Sequence, residues 1–89
     1  MADPAPPSTR LTDLARLFLK LAAEKGGEGR GGTFVPLTLT RQELADMTGT
    51  TVETAIRIMS RWGKDRVVLT EKTGFLLVDR GALETLAQA

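Results

Sequence analysis

The chain has 89 residues, which bounds it to one domain, and its 42% hydrophobic content is that of a globular protein rather than a disordered one. It contains no cysteine and no histidine, so disulfides, iron–sulfur ligation and thiol chemistry are excluded, as are the commonest general base and metal ligand. The net charge of +1 is too small to imply a polyanionic partner; that inference has to come from where the charges sit.

Residues 1–8 are proline-rich without periodicity and read as a disordered tail or linker, leaving 9–89 as the folded domain. Either Ser8 or Thr9 can cap a helix whose apolar positions Leu11, Leu14, Ala15, Phe18, Leu21 and Ala22 fall three and four apart. They form one stripe, with Arg10, Arg16 and Lys20 mostly outside it. Gly26, Gly27, Gly29, Gly31 and Gly32 end this helix and form a flexible loop. A short strand follows over 33–39, confined to a sheet edge by Pro36. Two capping boxes come next, Thr40 with Glu43 and Thr50 with Glu53. The first opens a short helix over 41–47, and Gly49 supplies the backbone freedom for a tight turn. The second opens a longer helix ending near Trp62, with Thr51 an equally good cap. Residues 66–70 and 74–78 read as two strands around a turn at 71–74, and 80–89 as a short closing helix. No apolar stretch approaches the ~20 residues needed to cross a bilayer. The start lacks the charged segment and apolar run of a signal peptide, so a cytoplasmic location is expected.

Short helix, glycine turn, longer helix and β-hairpin, in that order, describe an α+β fold: a winged helix-turn-helix with a three-helix core and a β-hairpin wing. Leu44, Met47, Ala55, Ile58, Met59 and Trp62 are the expected shared core, with Ala45 small where the two helices approach. Val52, Glu53, Ile56 and Arg57 are then left pointing outward. An outward apolar pair on so small a domain points to a surface meant to be covered. Arg57 can donate two hydrogen bonds to guanine O6 and N7, and Glu53 can accept from cytosine N4. Spaced i, i+4 with the acid first, the two can also hold each other on the helix face. Thr40, Arg41 and Gln42 begin a helix, where free N–H groups and the dipole favour a phosphate.

The stretch TRQELADMTGTTVETAIRIMS at 40–60 resembles the DNA-binding domain of the Crp/Fnr family of bacterial transcription regulators. The preceding helix and the following hairpin fit too, so the resemblance covers about residues 10–78. It implies sequence-specific binding of double-stranded DNA by a transcription regulator, with residues 51–62 as the reading helix in the major groove. No catalysis, cofactor or metal is expected. The resemblance further implies base contacts by Glu53 and Arg57, phosphate contacts by Thr40, Arg41 and Gln42, and backbone contact by the wing. Val52 and Ile56 complete the expected base-facing set, and Thr51, Lys72 and Thr73 the phosphate-facing one.

The chain also departs from the family. Larger members carry an N-terminal effector-binding β-barrel and a long dimerisation helix that this sequence does not encode. A monomer or weak dimer is therefore expected in isolation, with RNA polymerase as a further partner the resemblance allows and no membrane contact. Valine before the glutamate, as at Val52, resembles the oxygen-sensing branch, but that branch typically has serine where Ile56 stands. Blander readings stand beside these. Glu53 can be a helix-capping acid, Arg41 and Gln42 a solvated first turn, Lys72 and Thr73 ordinary turn residues, and Trp62 core rather than a stacking platform. Val52 and Ile56 can be covered by a protein partner, which makes a winged-helix protein-interaction module the alternative function.

Overall fold

The apolar stripe of the first segment folds into a helix, α1 (Pro7–Lys25), in the computed structural model, which describes residues 7–29 and 31–88. Leu14, Ala15, Phe18, Leu21 and Ala22 are buried along its inner face, while Arg16 and Lys20 are exposed. The helix begins earlier than expected. Pro7 opens it, so Ser8 and Thr9 lie in its first turn instead of at its cap. Proline suits that place, because a first-turn N–H has no partner within the helix and its loss costs nothing. The rest of the expected tail, residues 1–6, lies outside the described residues.

The glycine-rich segment is a hairpin, not a loop. β1 (Gly27–Gly29) and β2 (Gly32–Val35) pair antiparallel, with Gly27 opposite Phe34 and Gly29 opposite Gly32. With β3 (Val68–Glu71) and β4 (Gly74–Leu77) they form one antiparallel sheet in the order β1-β2-β4-β3. β2 is therefore an interior strand, joined to β4 through Thr33–Leu77, Phe34–Leu76 and Val35–Phe75. Both its expected length and its expected edge position are corrected. A strand paired on both sides has no place for a residue without an N–H, so it stops at Val35. Pro36 then sits in a tight turn closed by the Leu37 N–H donating to the Val35 carbonyl at 2.8 Å.

Phe18 anchors the core where helix and sheet layers meet. Its ring lies edge-on to Phe75 at 5.0 Å between centroids and to Trp62 at 6.1 Å, the geometry that aromatic quadrupoles favour. Trp62 is buried, so it is core and not a stacking platform. The closing helix α4 (Arg80–Ala87) is capped by Asp79, whose side chain accepts from the Ala82 N–H at 3.0 Å. It packs on α1, burying Leu83, and the Arg16 Nε donates to the Ala87 carbonyl at 2.9 Å. That bond satisfies one of the carbonyls a helix end leaves open. With α2 (Arg41–Thr48) and α3 (Val52–Lys64), the architecture is α+β, a winged helix-turn-helix. No helix among the described residues is long and apolar enough to cross a membrane.

Candidate nucleic-acid interface

Local chemistry fixes the first helix of the motif. Thr40 is the N-cap of α2: its hydroxyl accepts from the Glu43 N–H at 3.0 Å, and the Glu43 Oε1 accepts from the Thr40 N–H at 2.7 Å. Both halves of the capping box are present, as the spacing predicts. Gly49 ends α2 in the left-handed conformation, φ 70° and ψ 29°, with its N–H donating to the Ala45 carbonyl. A side chain would be strained there, and the reversal of direction at this point sets α3 against α2.

Thr51 caps α3, accepting from the Thr54 N–H at 3.2 Å, and so decides between the two candidate threonines. α2 and α3 then meet through Leu44, Ala45 and Ala55, all fully buried, the two alanines letting the backbones approach. On α3 the period of 3.6 residues sends Ala55, Ile58, Met59 and Trp62 inward. Glu53, Ile56, Arg57, Ser60 and Arg61 are left exposed on the other side.

Two of the expected placements are changed. Met47, expected in the shared core, is 54% exposed. It lies in the last turn of an eight-residue helix and lines a shallow groove with Leu17 and Lys20 of α1. Val52 is only half-buried and packs against the core cluster, so it divides its surface between the core and the outward face. Ile56 is fully committed to that face at 45% exposure. Glu53 and Arg57 make no ion pair with each other among the described residues. Each side chain is exposed.

The expected phosphate-facing residues come from three elements that the fold brings together. The Arg41 guanidinium donates to the Thr70 hydroxyl of β3 at 2.9 Å, spanning 29 positions of sequence. This bond ties the first turn of α2 to the wing. Gln42 donates to the Asp46 carboxylate at 2.9 Å along the same helix. Lys72 and Thr73 form the two-residue turn between Glu71 and Gly74 and are exposed at the tip. Sequence reasoning missed the far end of α3, where Ser60, Arg61 and Lys64 continue the exposed row from Arg57. Their spacing of three and four was a signal available to find them.

A family model described as a Crp-like helix-turn-helix domain matches residues 14–86. No curated protein sequence matches. Among solved structures, oxidised CprK bound to o-chlorophenolacetic acid superposes with a TM-score of 0.83 at 18% identity, over 90% of this chain and 34% of that one. The CO-dependent transcription factor CooA from Carboxydothermus hydrogenoformans gives 0.78 at 26% identity, over 88% and 36%. TTHB099, a CRP-family transcriptional regulator from Thermus thermophilus, gives 0.75 at 24% identity, over 97% and 42%. The chain thus spans between a third and somewhat over two fifths of the length of these proteins.

Proposed function

The chain belongs to the family of Crp-like helix-turn-helix domains, and from that premise we propose that it is the DNA-reading part of a transcription regulator, acting on double-stranded DNA in the cytoplasm without catalysis. The observation that carries this is the outward face of α3: Glu53, Ile56 and Arg57 stand exposed on a helix whose opposite face is locked into the core. A helix so held enters the major groove as a rigid reader. Arg57 donates to guanine O6 and N7, and Glu53 accepts from cytosine N4. Ile56 and the exposed part of Val52 have no hydrogen bond to offer, so they pack against thymine methyl groups, the apolar feature of that groove.

The remaining contacts position the helix and carry no sequence information. Thr40, Arg41 and Gln42 present the start of α2, and Thr51 the start of α3, to phosphates, where helix N-termini favour an anion. Arg41 spends one N–H on Thr70 and keeps others for a phosphate oxygen. Through that bond the wing follows, with Lys72 and Thr73 against a flanking phosphate. One monomer covers one half-site, and two bind half-sites about one helical turn apart. RNA polymerase is a further partner compatible with this role.

Binding to a randomised duplex library, titrated with salt, tests the reading. Arg57→Ala should cost about 1–3 kcal/mol on the preferred site and relax the preference at one G·C pair. Arg41→Ala should weaken all sequences evenly and lower the salt slope by roughly one. Even losses across the library for both variants would show that Arg57 does not read bases. Binding without salt dependence would favour a protein-interaction module, since an apolar contact displaces no counterions.

A further inference from the structure

The far end of α3 carries two basic residues, Arg61 and Lys64, that none of the contacts above uses. Spaced i+4 and i+7 from Arg57, they stand with it in one exposed row. With Ile56, Ser60 and Asp65 they line a shallow open trench of about 380 Å³. Ile56 is the last apolar residue on this face; beyond it come only a hydroxyl, three cations and one carboxylate. The composition changes where the geometry of a groove requires a change. A helix rises 1.5 Å per residue, so Lys64 lies roughly 16 Å along the axis from Glu53. The major groove is only about 12 Å wide. With Glu53 on the groove floor, the Lys64 end of α3 meets the sugar–phosphate wall opposite the one held by the start of α2.

One acid stands in that row. The Asp65 Oδ2 accepts from the Arg61 Nε at 2.8 Å, with both side chains at least half exposed. Exposed pairs of this kind hold weakly, whereas a guanidinium on phosphate makes charge-assisted, bidentate bonds. Resting on the DNA-binding reading, we infer that Arg61 and Lys64 form a second phosphate site on the far strand, and that Asp65 restrains it by occupying Arg61 until a phosphate displaces it. Asp65 thereby lowers affinity for every duplex alike, leaving a larger share of the binding to the base contacts of Glu53 and Arg57. The ratio between preferred and other sites is unchanged, because a penalty common to all duplexes cancels in it.

The test uses the whole chain, a labelled duplex of random sequence and fluorescence anisotropy over a range of salt, with circular dichroism confirming that each variant is folded. Arg61→Gln and Lys64→Gln should each lower the salt slope by roughly one. Asp65→Asn should tighten binding by roughly three- to tenfold at low salt, the size of one added phosphate contact, and this gain should mostly vanish in Arg61→Gln/Asp65→Asn. A wild-type chain that binds with a steep salt slope, unchanged in Arg61→Gln and Lys64→Gln, overturns the second phosphate site while leaving the DNA-binding reading intact. An equal gain from Asp65→Asn with and without Arg61 overturns the restraint, because the carboxylate would then act through net charge alone. A wild-type chain with no salt-dependent binding to any duplex overturns the DNA-binding reading and this inference with it.

Discussion

Replacing Gly74 with alanine asks whether the wing is set by contact between backbones or by its turn sequence. Gly74 opens β4, and a Cβ built on it falls onto the carbonyl oxygen of Val35, with the Phe34 Cζ 3.0 Å away. The Phe34 ring can swing aside. The carbonyl cannot, because Val35 is held in register with Phe75, the next residue of the same strand. Relief requires parting β2 from β4 beside the turn of the wing. Overpacking costs roughly 1–3 kcal/mol, and the smaller unfolded-state entropy of alanine returns about 0.4–1 kcal/mol. The obstacle is backbone, so the upper end applies and the net loss is about 2 kcal/mol. In a domain of this size that lowers Tm by about 8–16 °C. Gly63 supplies the control: it lies in α3, and a Cβ there meets nothing within 4 Å. Alanine at that position should gain about 0.5–1 kcal/mol, since it fits the helix and restricts the unfolded chain. Thermal unfolding followed by circular dichroism measures both. A Gly74→Ala variant melting within about 2 °C of wild type, or two variants shifting in the same direction, would refute the argument.

Three shorter predictions rest on other features. Arg66 leaves α3 with φ 57°, and the bonds from Arg66 N–H to Gly63 and from Val67 N–H to Trp62 make it the left-handed residue of a Schellman motif. Arg66→Gly should therefore raise stability by about 0.5–1 kcal/mol in urea unfolding, and a fall would show that the arginine side chain holds the turn. Met47→Gln should change stability by less than about 0.5 kcal/mol because the side chain is exposed, whereas Leu44→Ala should cost about 2–5 kcal/mol. Equal losses would place Met47 in the core after all. Uracil in place of thymine in the preferred site should weaken binding about fourfold at a position facing Ile56, the worth of one methyl group. No change at any thymine would mean that Ile56 faces something other than DNA.

The parts of the interface that were legible in the sequence are those governed by short-range physics. A threonine three residues before a glutamate satisfies two helix-end donors wherever it occurs, and the bonds between Thr40 and Glu43 are the two it predicts. Gly49 turns left-handed because glycine alone does so without strain. The helical period sorts α3 unaided: with Ala55, Ile58, Met59 and Trp62 inside, Glu53, Ile56 and Arg57 have no choice but to face out.

What only the tertiary structure decided depends on groups distant in the chain. Five glycines carry no side-chain pattern, so nothing local marked 27–29 as a strand; β1 exists because β2, fastened to β4, offers it an edge. Met47 sits on the same stripe as Leu44, and whether it is covered depends on where α1 and α3 end relative to α2. The bond from Arg41 to Thr70 joins α2 to the wing across the whole of α3, a pairing that no periodicity encodes. The sequence alone therefore determined where the helices of the motif start and turn and the outward row Glu53, Ile56 and Arg57, because propensity, capping and period act within one or two turns. The tertiary structure decided which presentations share one surface, because that is settled by packing the sheet, α1 and α3 around Phe18.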